Sequence, residues 1–229
     1  MQFAVIADIH SNLEALEAVL KKIERDGIKT IICAGDIIGY GPNPNEAVEL
    51  VRKRCFAAVC GNHDANIDLH NLGWFEPSAA HALEWTKKTL TKENFEYLLG
   101  LDHSWKGHIG GKSVFIVHGS PRDYIYDYVY PDIADTKARE WLRNTASQVL
   151  VVAHLHIPFI RKMGARAILN PGSVGQPRDG DRRASYAIVN TKQPFITIRR
   201  VEYDIGKTAE KIREAGLPQS LADRLSEGL

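Results

Sequence analysis

Apolar positions recur along the chain with two periods, and the period assigns each stretch. FAVIA (3–7) is a short continuous apolar run with β-branched and aromatic members, the pattern of a buried strand. In the segment SNLEALEAVLKKIERDG, Leu13, Leu16, Val19, Leu20 and Ile23 return at helical spacing. Ser11 and Glu14 form a capping-box pattern at its start, and Gly27 is placed to end it. TIICA (30–34) reads as a second strand. After the loop GDIIGYGPN comes a helix with Asn43 at the cap, Pro44 at its first position and Glu46 completing the box. CFAAVC (55–60) is a third strand, followed by helical stretches near 77–90 and 92–99. VFIVHG and QVLVVAH read as strands flanking a helix near 134–144. RAILNPGS, ASYAIVN and FITIRRVEYD predict shorter strands, with helices near 205–215 and 218–226 closing the chain. There is no repeat, low-complexity tract or linker, so one domain over 1–229 is expected.

The polar residues that end the apolar runs carry the chemistry. FAVIA gives way to Asp8 and His10, TIICA to Asp36, CFAAVC to Asn62, His63 and Asp64, VFIV to His118, and VLVVA to His154 and His156. In a largely parallel α/β sheet, ligands bind beyond the carboxyl ends of the strands, so these loops are expected to converge. The period of two aims Asp8 with His10, and His154 with His156, at one centre if the backbone between them stays extended. Asp8, His10, Asp36, Asn62, His118, His154 and His156 exceed the three or four ligands one zinc ion takes. The surplus points to two ions about 3.5 to 4 Å apart with a shared carboxylate. Imidazole and carboxylate without thiolate suit Mn, Fe, Zn or Ni and do not choose among them.

Composition narrows the partners. The 229 residues are 44% hydrophobic and 25% charged, as in ordinary globular proteins. A net charge of +1 supplies no general attraction to nucleic acid or to an anionic membrane, so anion binding has to be local. The start of the chain lacks signal-peptide features and no apolar run approaches a membrane span, so a cytoplasmic protein is expected. Cys33, Cys55 and Cys60 are an odd number without CxxC spacing, which fits free buried thiols.

DIH, GDIIGYGP, GNHD, HGS and HLH, in this order, resemble the calcineurin-like metallophosphoesterase superfamily, in particular its compact prokaryotic phosphodiesterase-like branch. LNPGSVGQPRDGDRRASYAIV resembles that branch too. The resemblance implies a four-layer α/β/β/α sandwich of two mostly mixed sheets, with metals at the strand carboxyl ends. It also implies a division of ligands: Asp8, His10 and His156 on one divalent ion, Asn62, His118 and His154 on the other, and Asp36 between them. The implied reaction is hydrolysis of phosphodiesters or nucleotide-like phosphomonoesters, with a metal-bridging hydroxide as nucleophile. His63, outside the ligand set, is the candidate acid for the leaving group. Asp64 either orients His63 or caps the helix that follows. Two positions depart from the family pattern: Ala153 stands where Gly is usual, and GDIIGYG lacks the Asp-Arg pair found in Ser/Thr protein phosphatases. The second weighs against the alternative of a phosphoprotein phosphatase. A non-catalytic scaffold on this fold predicts an eroded ligand set, which the sequence does not show.

Several features stay outside that set. His70, His81, His103 and His108 read as surface or packing residues, and GGKS (110–113) as a turn into VFIV. Tyr124, Tyr126, Tyr128 and Tyr130 alternate after HGSPRD, as one face of a packed strand or loop or as a wall for an aromatic group. Arg178, Arg182 and Arg183 make a basic loop, either solvated or in contact with substrate phosphate. Leu221 and Leu225 suit packing onto the body or a homo-oligomer contact.

Overall fold

Alternation within single strands sets the layers. In the computed structural model, which describes residues 1–192 and 195–229, β1 (Gln2–Ile6) turns Phe3, Val5 and the following Ala7 to one side and Ala4 and Ile6 to the other. The first set enters a core between two sheets, and the second lies under helices α1 (Leu13–Arg25) and α2 (Pro44–Arg54). β1 runs parallel to β2 (Thr30–Cys33), which pairs with β3, only Ala57–Ala58. Two antiparallel strands, β9 (Ala184–Asn190) and β10 (Phe195–Val201), complete the order β10-β9-β1-β2-β3.

The second sheet is β4-β5-β6-β8-β7. Its members are β4 (Ser104–Ile109), β5 (Lys112–Val117), β6 (Val149–Val151), β7 (Phe159–Met163) and β8 (Arg166–Asn170). Val114, Ile116, Val149, Val151, Ala167 and Leu169 face the first sheet. Phe115, Val117, Leu150, Val152 and Ile168 face α6 (Asp135–Asn144) with its Trp141 and Leu142. Helix, sheet, sheet, helix is the expected sandwich, with both sheets mixed.

Local departures from the sequence reading have physical causes. Asn12, not Ser11, caps α1, its Oδ1 accepting from Ala15 N at 3.1 Å. Glu14 is drawn instead to Lys211 Nζ at 2.6 Å, on α7 (Ile205–Glu214). Asn43 holds the cap position of α2 without a cap bond, because its amide donates to Glu46 and its oxygen accepts from Lys211. β4 and β7 escaped the sequence reading: SWKGHI and FIRKM are edge strands whose polar residues interrupt the apolar run. The tyrosine segment is no strand. Ser120 and Asp123 accept from the amides of Arg122, Ile125 and Tyr126 and wind it into turns. Leu221 and Leu225, on α8 (Gln219–Glu227), pack onto Ala209, Ile212 and Ala82, the last from α4 (Pro77–Thr89). All three cysteines are free. No helix among the described residues is long and apolar enough to cross a membrane.

Candidate metal centre

The strand ends converge as expected, but not by extended backbone. Asp8, His10, Asp36, His154 and His156 all have positive φ, between 51° and 65°. Side chains with a Cβ disfavour that region, so each strand end stores strain that the surrounding packing holds in place, a pattern concentrated at functional sites. The sharp reversals bring Asp8, His10, Asp36 and His156 into one cluster and Asp36, His118 and His154 into a second. Asp36 is common to both.

The imidazoles are oriented from behind. His10 Nδ1 donates to Ile38 O at 3.0 Å, His118 Nδ1 to Ala34 O at 2.8 Å, and His156 Nδ1 to Gln176 O at 2.5 Å. With Nδ1 protonated in each ring, every Nε2 presents a lone pair to the centre. His10 Nε2 and His156 Nε2 then face each other at 3.1 Å, and His118 Nε2 faces Asn62 Oδ1 at 3.1 Å. Lone pairs so close are tolerable only with a cation or a proton between them. Both carboxylate oxygens of Asp8 are fully buried without a hydrogen-bond partner. An orphaned carboxylate amid inward-pointing nitrogens fits divalent cations.

The electrostatics agree with that fit. Burial pushes the Asp8 carboxyl up to about 8, against the pull of His118. Burial also opposes charge on Asp36, but His118, His63 and His10 prevail and hold it well below the carboxylate range. His118 is opposed by burial yet raised to about 9 by Asp36 and Asp8. A proton on His118 thus serves where a cation would in the loaded centre. Burial lowers His10 and His156 well below the usual value, and His154 to about 3.

These shifts give a pH dependence with a definite sign. The folded value of Asp8 lies above its unfolded one, so in metal-free protein its contribution to stability is complete below about pH 4 and is lost as pH rises through about 8. The raised His118 contributes fully below its unfolded pKa of about 6.5 and loses that contribution as pH rises through about 9. A cation held by these residues would compete with both protons, so the gain in melting temperature on adding Mn(II) is expected to grow between pH 6.5 and 9 while the chelated protein weakens. Calorimetric melts in chelator and in Mn(II) check this; a gain independent of pH would contradict it.

His63 lies beside the cluster on α3 (Asn62–Ala65), its ring centroid 4.8 Å from that of His10 and 4.6 Å from that of Tyr40. Burial lowers it to about 4. Its Nδ1 is sealed in without a partner, against Gly39. A Cβ on Gly39, at φ 97°, would stand 2.3 Å from that nitrogen. Gly39→Ala is therefore expected to lower stability by about 1–3 kcal/mol and to slow turnover by displacing His63, with metal content unchanged. Thermal denaturation and metal analysis test it.

Asp64 does not touch His63. Its carboxylate accepts from the amides of Gly61 at 3.0 Å, Ile37 at 3.0 Å and Ile38 at 3.2 Å. It clamps the Asp36 loop onto the turn that carries Asn62 and His63, and so positions both without orienting the imidazole. Burial raises it to about 7. His70, His81, His103 and His108 are exposed, as expected, and Arg182 and Arg183 are solvated, Arg183 forking onto Asp181.

The centre opens into a cleft of about 620 Å³ lined by Asp36, Asn62, His63, His154 and His156 and, beyond them, by Tyr40, Trp74, Tyr126, Tyr128, Arg178 and Arg224. Tyr128 stacks on His154 with centroids 4.0 Å apart. Arg178 donates to Gln176 Oε1 at 2.8 Å and Tyr40 Oη at 3.2 Å, both neutral acceptors, and among the described residues it has no carboxylate partner. Tyr40, Trp74 and Arg224 escaped the sequence reading. Tyr40 sits in a loop, Trp74 ends a short helical turn (Leu72–Trp74), and Arg224 lies on α8, where the apolar period marks Leu221 and Leu225 and not the arginine; GYG beside GDII was the available signal for Tyr40.

The model of the calcineurin-like phosphoesterase superfamily domain matches residues 1–194. The chain is 43% identical to protein MJ0912 of Methanocaldococcus jannaschii, covering 98% of this chain and 97% of that one. It is 26% identical to the phosphodiesterase YfcE of Escherichia coli, over 83% of this chain and 88% of that protein. The crystal structure of a metallophosphoesterase from Sphaerobacter thermophilus superposes with a TM-score of 0.85 at 39% identity, covering 100% of this chain and 99% of the other.

Proposed function

Since the chain belongs to the calcineurin-like phosphoesterase superfamily, we propose that it is a hydrolase of small phosphodiesters or nucleotide-like phosphomonoesters that works with two divalent ions. The observation that carries this reading is the buried, partnerless Asp8 carboxylate facing imidazoles whose Nδ1 atoms are spent on backbone carbonyls. Asp8, His10 and His156 would hold one ion, Asn62, His118 and His154 the other, and Asp36 both. Bound there, divalent ions supply a water of lowered pKa and positive charge for the phosphoryl oxygens.

The chain's own side chains do the rest. Arg178, charged and without an acidic partner among the described residues, binds a phosphoryl oxygen entering the cleft and replaces the arginine missing after GDII. His63 lines the cleft next to a ligand and donates a proton to the departing oxygen. The stack of Tyr128 on His154 keeps that ring in place and excludes water from one side.

The test is hydrolysis of bis(p-nitrophenyl) phosphate and p-nitrophenyl phosphate by metal-stripped protein re-supplied separately with Mn, Ni, Zn or Fe(II), with metal counted per chain. Activity restored by metal, with the diester preferred, is expected. Failure to bind metal sinks the reading. Arg178→Ala is expected to raise KM by roughly 10-fold or more with less effect on kcat, the signature of a lost charged contact to phosphate. An unchanged KM would remove Arg178 from that role.

A further inference from the structure

Trp74 is 75% exposed, the most exposed large apolar side chain among the described residues, and it stands at the mouth of the catalytic cleft. An indole left in water beside a charged site offers a large apolar face with nothing on it. Its edge meets the ring of Tyr126, with centroids 5.7 Å apart and planes at 75°. Tyr126 is tied to the metal centre: Asn66 Nδ2 donates to Tyr126 Oη at 2.9 Å and to the carbonyl of Asn62 at 2.8 Å. Tyr128 gives one face to His154 and remains 45% exposed. Aromatic surface is thus held at a fixed offset from the phosphate-handling end of the cleft, and Arg178 and Arg224 line the same space.

We propose that Trp74, Tyr126 and Tyr128 form a stacking platform for a nucleobase, so that the esters this enzyme selects are nucleotide-like. The proposal rests on the phosphoesterase reading and adds the identity of the group carried on the phosphate. The cleft, about 620 Å³, suits a small ligand and not a protein segment. A flat, polar-edged ring lies on the Trp74 indole with its edge towards Tyr126, whose plane stands at 75° to the indole, and towards the flanking charges; an alkyl ester would leave the indole face bare. Stacking tolerates any base, so the platform selects a class of ligand, not one base.

The test is calorimetric binding to the Mn(II)-loaded protein, with adenosine 5′-monophosphate, ribose 5-phosphate and inorganic phosphate as probes. The nucleotide is expected to bind about 5- to 100-fold more tightly than ribose 5-phosphate. Trp74→Ala should shrink that preference without changing affinity for inorganic phosphate, and Trp74→Phe should keep most of it. Equal affinity for the nucleotide and ribose 5-phosphate, or a preference that survives Trp74→Ala, overturns the platform while phosphate binding leaves the phosphoesterase reading standing. No binding of inorganic phosphate overturns both.

Discussion

Replacing Asp36 by Asn is expected to reduce metal-dependent turnover on the order of 10³- to 10⁴-fold and to cut metal retention, with the fold intact. Asp36 is a member of both clusters: its Oδ2 lies 3.3 Å from His118 Nε2 and 3.6 Å from His10 Nε2. Its Oδ1 accepts from His63 N at 2.8 Å, which fixes the carboxylate and leaves Oδ2 to the centre. The amide oxygen of Asn can take over the bond to His63 N, which protects the loop. The amide nitrogen then points N–H groups where a cation requires an acceptor. The substitution also removes the charge that sustains protonation of His118, so the metal-free variant should lose part of its advantage below pH 9. Metal per chain and diester hydrolysis are the measurements. Undiminished hydrolysis with both ions retained would show that Asp36 does not link the two clusters.

Much of this site is legible in the sequence because strand ends announce themselves. FAVIA, TIICA and VLVVA are apolar for their whole length, so the first Asp or His after each stands out, and α/β geometry sends all of them to one edge. The layer order follows as well, since Phe3 and Val5 alternate with Ala4 and Ile6 between two cores. The backbone at the ligands was not legible: a D-x-H spacing suits an extended strand, yet both Asp8 and His10 adopt φ of 51°. Contacts distant in sequence, such as His10 Nδ1 to Ile38 O and His10 N to Asp36 O, stabilise that strained turn. Asp64 is half legible: its bond from Gly61 N caps α3, one of the two roles its position suggests, but its other hydrogen bonds come from Ile37 and Ile38 on the opposing loop and none orients His63. The far wall of the cleft is harder still. Trp74 lies on a short helical turn, and Arg224 on a helix beyond the residues the family model covers; neither is placed by a local period.

His63→Ala is expected to slow hydrolysis of alkyl phosphodiesters by roughly 10²- to 10⁴-fold while p-nitrophenyl esters lose far less, because p-nitrophenolate departs without a proton and an alkoxide does not. Metal content should be unchanged, since the ring of His63 lies beside the ligand clusters and is not among them. In the metal-free protein burial holds His63 near 4, so the ring is neutral at pH 7. Asp36 works against burial by favouring the imidazolium, and a phosphoryl anion in the cleft adds to that pull. The alkaline limb of kcat/KM for an alkyl diester, where a proton donor is lost, should accordingly flatten in the variant while the metal-dependent acid limb persists. Equal losses for alkyl and nitrophenyl esters would instead make His63 a packing residue between Tyr40 and Phe75, with the proton coming from solvent.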